Sequence, residues 1–280
     1  MKKTILAILL TSALCLNCGC SKSSEPENGP DSEPSYDYGV FIGAGPEDLS
    51  KMTPYRTVVL DAQYFTHEDI KKLTDGGSTV YSYINLGALE DFRPYYDEYS
   101  DLTLDPYENW EEEMWVDVSD SRWQSFVGDV LAGELMEKGV DGLFVDNTDV
   151  YYHYPTDPVF SGVCNILNSF KSKGAYVLIN GGDCFVTECE KRFGTLDGLI
   201  DGVNQETVFT AIDFDKGTFS ANDPEERRYF MDYAERVMDH GKDVFLLEYT
   251  SDPALIEEVA AYCKEKGCRF YVSPTLELLA

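Results

Sequence analysis

The chain is poor in metal ligands, phosphate-binding loops and positive charge. Its three histidines, His67, His153 and His240, are scattered and lack the spacing that brings two imidazoles onto one zinc ion. No cysteine pair shows zinc-site spacing, so no metal and no other cofactor is expected. The glycine cluster Gly43-Ala44-Gly45-Pro46 is not a phosphate cradle, because Pro46 removes an N–H that the phosphate would need. A Ser-His-Asp arrangement and a reactive cysteine context are both missing, which argues against acyl transfer. Lys and Arg total 22 against 51 Asp and Glu, a formal net charge of -29. Such a surface repels phosphate backbones, so no nucleic-acid partner is expected, and it disfavours an anionic lipid surface. A cationic ligand would be drawn in.

A long apolar run is also missing. The stretch from Ile5 to Leu14 follows Lys2 and Lys3 and is too short and wrongly flanked to span a membrane. It reads as residues 1–20 of a lipoprotein signal peptide. In Asn17-Cys18-Gly19-Cys20-Ser21 the small Gly19 makes Cys20 the expected acylated residue, although Asn17 departs from the usual Leu. The expected location is an exported bacterial lipoprotein, anchored to the membrane by that lipid and placed at the cell surface or in the periplasm. Residues 21–35 are Ser, Glu, Pro, Gly and Asp rich and predict a disordered acidic linker. Residues 36–280 form the folded domain. Five cysteines remain there, and Cys184/Cys189 and Cys263/Cys268 are local candidates for bridges, with free buried thiols as the alternative.

From Tyr38 onward, short β-rich apolar runs alternate with helical or loop segments. The runs are 38–44, 57–62, 79–86, 142–146, 175–180, 199–205, 243–249 and 269–273. They are nearly continuous in apolar residues, as strands covered on both faces should be. Helix starts stand between several of them, at Thr66, at Ser119 or Asp120, at Asp223-Pro224 and at Asp252-Pro253. Eight such units in about 240 residues predict a single-domain α/β fold, a (β/α)8 TIM barrel, rather than an open doubly wound sheet.

In such a barrel the site lies at the C-terminal strand ends. Those ends carry Asp61; Tyr83, Asn85 and Glu90; Asp146, Asn147 and Asp149; Asn180; Gln205 and Glu206; and Glu248 and Tyr249. This is a ring of carboxyls, amides and phenols, the set that hydrogen-bonds sugar hydroxyls and amines. Asp146 and Glu206 close two apolar runs and are the preferred catalytic pair, one ionised and one protonated, as glycosidic cleavage requires. The segment 88–121 is long for a loop and rich in aromatics, with Tyr95, Tyr96, Tyr99, Tyr107, Trp110 and Trp115 either lining a sugar site or pinning the loop. Residues 151–154, Tyr-Tyr-His-Tyr, are a second candidate wall.

Several segments together resemble the TM1410-like glycoside-hydrolase family 114. They are Tyr83-Ile84-Asn85-Leu86-Gly87 with Glu90 and Arg93, Trp115-Val116-Asp117 with Trp123, the run from Gly139 to Asn147 with Asp149, and Asp201-Gly202-Val203-Asn204-Gln205-Glu206. The resemblance implies a (β/α)8 barrel and an endo-α-1,4-polygalactosaminidase acting on a polysaccharide or amino-sugar oligosaccharide. It implies catalytic roles for Asp146 and Glu206 and adds Arg93 to the substrate-binding set. By analogy with barrel α-glycosidases, Asp146 would be the nucleophile and Glu206 the acid/base with retention, the alternatives being the opposite assignment or an inverting course. Two positions depart from the family pattern: Ala88 stands where a second acid is usual, and Glu248 where Asp is usual. The competing reading is a non-catalytic cell-surface lipoprotein that binds glycans on the same scaffold.

Overall fold

The computed structural model describes residues 34–280. The expected signal peptide, the acylated Cys20 and the linker up to residue 33 lie outside the described residues. Eight parallel strands follow one another around a single sheet: β1 (Tyr36–Phe41), β2 (Tyr55–Leu60), β3 (Thr79–Asn85), β4 (Gly142–Asp146), β5 (Tyr176–Asn180), β6 (Gly202–Glu206), β7 (Asp243–Tyr249) and β8 (Arg269–Ser273). Each pairs with the next in sequence order. β8 returns against β1, where Phe41 meets Tyr271 edge to face at 5.4 Å. The result is a nearly closed (β/α)8 barrel.

Strand period explains why the runs look apolar throughout. On β3, Tyr81 and Tyr83 join the inner cluster, while Val80 and Ile84 join the outer one beneath the helices. On β4, Phe144 points inward and Leu143 and Val145 outward. The inner cluster is mostly aromatic, with Tyr38, Tyr81, Tyr83, Phe144, Phe245 and Tyr249 filling the barrel. Two of the strands begin after an Asp that pins the strand before it. Asp141 accepts from the Val80 amide at 2.8 Å, and Asp201 accepts from the Val177 amide at 2.8 Å. Part of the Asp-Gly pattern around both strands is therefore structural.

Helix starts fall where the caps predict. Thr66 and Asp69 form a reciprocal capping box, and Asp223 and Asp252 each cap a helix with Pro in its first turn. The helix expected from Ser121 is interrupted by a π-wound segment, Phe126–Leu131, where Ser169 donates to the Gly128 carbonyl at 2.8 Å. Two excursions rise from the C-terminal face. After β3 comes a three-stranded antiparallel sheet, in which Glu113–Val116 lies between Ala88–Glu90 and Thr103–Pro106. After β6 comes a hairpin, Thr210–Asp213 with Thr218–Ala221. The five cysteines are free thiols. Cys184 and Cys189 do not form the local bridge considered from the sequence; the Cys189 thiol instead lies beside Cys164.

Candidate active site

Glu206 closes β6. Asp146 closes β4, and Asn147 after it takes a left-handed conformation, φ 63°, that Asn tolerates well. Gly87 lets the neighbouring segment approach, since a Cβ there would stand 2.0 Å from the Asn147 carbonyl oxygen. Asn180, at the end of β5, lies between the two acids. Its amide nitrogen donates to Asp146 Oδ1 at 3.1 Å and to Glu206 Oε1 at 2.7 Å. The orientation of that amide is fixed from inside the barrel: Tyr38 donates to Asn204 Oδ1 at 3.0 Å, and Asn204 donates to Asn180 Oδ1 at 2.7 Å. Tyr249 donates to Glu206 Oε2 at 2.7 Å, and the Asn147 amide donates to Asp146 Oδ1 at 3.0 Å.

Burial pushes both carboxyls above their ordinary range. For Asp146 the Asn180 amide, the Asn147 N–H and the Tyr83 hydroxyl offset this in part. For Glu206, Tyr249 and Asn180 offset it, but the charge of Asp146 raises it further. Within the pair, ionising one carboxyl works against ionising the other.

A second acid group is differently arranged. Arg93, almost fully buried, reaches Asp61 at 2.7 Å and grips both oxygens of Glu90 at 2.6 and 2.8 Å. Tyr83 donates to the same Glu90 at 3.2 Å. The guanidinium sits 5.0 Å from the Phe92 ring centroid and 5.8 Å from that of Tyr64. Asp61, Glu90 and Arg93 therefore form an ion cluster at the cavity wall, one guanidinium shared by two carboxyls.

These groups line a cavity of about 1150 Å³ at the C-terminal strand ends. Tyr83, Asn147, Asn180 and Tyr249 line it beside the two acid groups, and Tyr107 and Trp110 join from the excursion after β3. Trp110 meets Phe214 of the hairpin edge to face, ring centroids 6.5 Å apart. Tyr95, Tyr99 and Trp115 instead pin the excursion to the helices and to His153. The expected second wall at 151–154 does not face the cavity: Tyr151 is buried and Tyr154 is bound to Asp105 at 2.6 Å.

Four expected substrate contacts, Asn85, Asp149, Gln205 and Glu248, are not in the cavity lining. Gln205 and Glu248 each stand one residue out of phase with an inward-facing neighbour, Glu206 and Tyr249, so the strand period turns them to the outer face. Glu248 is fully buried there, accepting from the Phe209 and Thr210 amides at 3.0 Å each and from the Thr210 hydroxyl at 2.6 Å. It anchors the root of the hairpin. Burial raises its carboxyl to about 7. Gln205 donates to the Glu206 carbonyl at 2.9 Å. Asp149 lies beneath Gly181 and Gly182, accepts from the Gly182 amide at 3.3 Å, and is raised to about 7 by burial and then by the charges of Asp183 and Asp146. Asn85 supports the site from below, donating to Tyr83 and to Glu113 at 3.2 Å each.

Glu113 is a half-buried lining carboxyl that the sequence reading missed. It opens the strand Glu113–Val116, opposite Glu90. Burial, then the charges of Asp146 and Glu90, raise it to about 8. Its signal was the alternation Glu113-Met114-Trp115, which is hidden in a run of three glutamates. Among the described residues no three His, Cys, Asp or Glu side chains converge as metal ligands.

The sequence profile of glycoside-hydrolase family GH114 matches residues 21–276. No curated protein matches the chain by sequence. Among solved structures, the glycoside hydrolase domain of PelA from Pseudomonas aeruginosa superposes with a TM-score of 0.71 at 19% identity, covering 89% of this chain and 97% of that one. Ega3 of Aspergillus fumigatus, solved in complex with galactosamine, gives 0.67 at 16% identity, covering 92% and 97%. The α-galactosidase TtGalA from Thermus thermophilus gives 0.56 at 13% identity, covering 87% and 59%. At these identities the structural likeness is one of fold.

Proposed function

Because the chain belongs to glycoside-hydrolase family GH114 and is a glycoside hydrolase, we propose that it cleaves α-1,4-linked galactosamine-containing polysaccharide with Asp146 as nucleophile and Glu206 as acid/base. The carrying observation is the single Asn180 amide shared by the two carboxyls. Two oxygens bridged through one nitrogen at these lengths stand at most about 6 Å apart. For those two facing oxygens this suits the ~5–5.5 Å pair of a retaining enzyme better than the ~6.5–9.5 Å gap that accommodates the water of an inverting one. In the first step Glu206 gives its proton to the glycosidic oxygen while an Asp146 oxygen bonds to the anomeric carbon, and the C–O bond to the leaving sugar breaks. In the second, Glu206 takes a proton from water, whose oxygen displaces Asp146. Tyr249 and Asn180 hold Glu206 in place through both steps.

The amino-sugar assignment rests on charge. Arg93 is the basic side chain among the described residues that line the cavity, and Asp61 and Glu90 occupy it. The remaining lining carboxyls, Glu47, Glu111, Glu112 and Glu277 among them, leave a negative mouth suited to a cationic polymer. The galactosamine bound to Ega3 is consistent with that choice. Export and lipid anchoring through Cys20 belong to the same proposal, as they would place the enzyme where polysaccharide is found.

The test is mass spectrometry of α-1,4-galactosamine oligosaccharides, acetylated and free, after incubation with residues 36–280. Shorter products that vanish in Asp146→Asn and in Glu206→Gln support the proposal. Binding without products from the wild type at every pH would favour the glycan-binding reading.

A further inference from the structure

Glu113 has no role in the two steps above, yet its carboxyl is built into the cavity wall. The excursion sheet carries it in on the strand Glu113–Val116, so it belongs to no barrel strand. Its Oε2 accepts from Asn85 at 3.2 Å and from Asn147 at 3.4 Å. Both amides are fixed with nitrogen toward Glu113, because Asn85 Oδ1 accepts from the Ala88 amide at 2.8 Å and from Asn147 itself at 3.0 Å. Oε1 has no partner among the described residues. The charged groups around Glu113 are Asp146 from β4 and Glu90 from the adjacent strand, both acidic, and the phenols of Tyr83 and Tyr107 are nearby. Arg93 lies beyond, occupied by Glu90 and Asp61.

From this arrangement we infer that Glu113 binds the ammonium group of the sugar residue seated at Asp146 and thereby selects an amino substituent over a neutral one. The inference rests on the amino-sugar hydrolase reading above. A carboxyl held by two N–H donors, facing two acids and no free cation, lacks a counter-ion, and a ligand ammonium supplies it. A hydroxyl or acetamide at the same place gains a hydrogen bond but leaves the repulsion among the acids.

The experiment compares kcat/KM for free and N-acetylated α-1,4-galactosamine oligomers of one length in wild type, Glu113→Gln and Glu113→Asp. Gln keeps the shape and turns an amide nitrogen toward the ligand. The expected result is a preference for the free amine that falls by about tenfold or more in Glu113→Gln, mostly through KM, and is better retained in Glu113→Asp. An unchanged preference overturns the assignment, whether both rates hold or both fall together as a packing defect would make them. Wild type that cleaves neither oligomer overturns the amino-sugar hydrolase reading and this inference with it.

Discussion

Carboxylates stand at both ends of the barrel, and what answers them differs. At the N-terminal end, Asp201 receives the Val177 amide and Lys171, the latter at 2.6 Å; Asp141 receives the Val80 amide; and Asp243 receives Tyr176 at 2.6 Å and Arg269 at 2.9 Å. Val80, Val177 and Arg269 lie on strands next to the carboxylate's own, Lys171 lies on the helix before β5, and Tyr176 reaches past β6, so each carboxylate fastens nearby segments of the barrel's N-terminal end. At the C-terminal end, Asp146, Glu206 and Glu113 receive amides and a phenol but no cation, and burial raises all three. A charge with no counter-ion costs stability and is available for chemistry or for a cationic ligand. In these two sets the same residue type is structural at one end of the strands and reactive at the other, although Glu248, Asp61 and Glu90 keep structural partners at the C-terminal end as well.

Substitutions at the two ends should separate rate from stability. The largest expected effect is at the C-terminal end, where Asp146→Asn loses at least ~10³-fold in kcat with a Tm equal to or above that of wild type, because a buried charge has been removed. Asp201→Ala should do the reverse. It strands the Val177 N–H and Lys171 and lowers stability by about 1–3 kcal/mol with kcat preserved, as read by thermal unfolding and initial rates. Loss of rate in Asp201→Ala without loss of stability would erase the distinction.

The pair itself can be probed more finely. Tyr249 holds the Glu206 carboxyl down by donating to it. Tyr249→Phe should move the alkaline limb of the kcat profile to higher pH and lower kcat by about tenfold, the loss of one charge-assisted hydrogen bond. An alkaline limb that does not move would assign it to another group. Stability should also carry the mark of the C-terminal acids. Glu113 ionises at about 8 in the folded chain against an ordinary 4.5, so the folded state holds more protons than the unfolded state between those values. Stability therefore falls as pH rises from about 5 to 8, and Glu113→Gln should flatten that fall in urea titrations. The smallest effect is screening: KM for a free-amine oligomer should rise about severalfold between low and high salt, while that for an acetylated oligomer moves less.

The fold was legible because eight apolar runs alternate with capped helices, and the caps at Thr66, Asp223 and Asp252 stand at helix starts. The strand ends were legible as a set, but the phase within each was not. Gln205 and Glu206 are adjacent, as are Glu248 and Tyr249, and only the two-residue period decides which of each pair meets the cavity. That period separates them once one inward residue, such as Asn204 bound to Tyr38 inside the barrel, is known from the structure. Glu113 was harder to see. It lies in an excursion that read as a loop, and its neighbours Glu111 and Glu112 give it no distinction until the pairing with Ala88–Glu90 sets the register. Arg93 owed its place to the family resemblance; its contact with Asp61, 32 residues away, depends on β2 and β3 lying side by side.

The most direct test of the shared-amide pair is proton NMR of the first product formed from an α-1,4-galactosamine oligomer, before mutarotation. An initial α-anomer is the predicted result, the signature of two displacements through Asp146. An initial β-anomer would mean direct attack by water, and the assignment of Asp146 as nucleophile would be wrong.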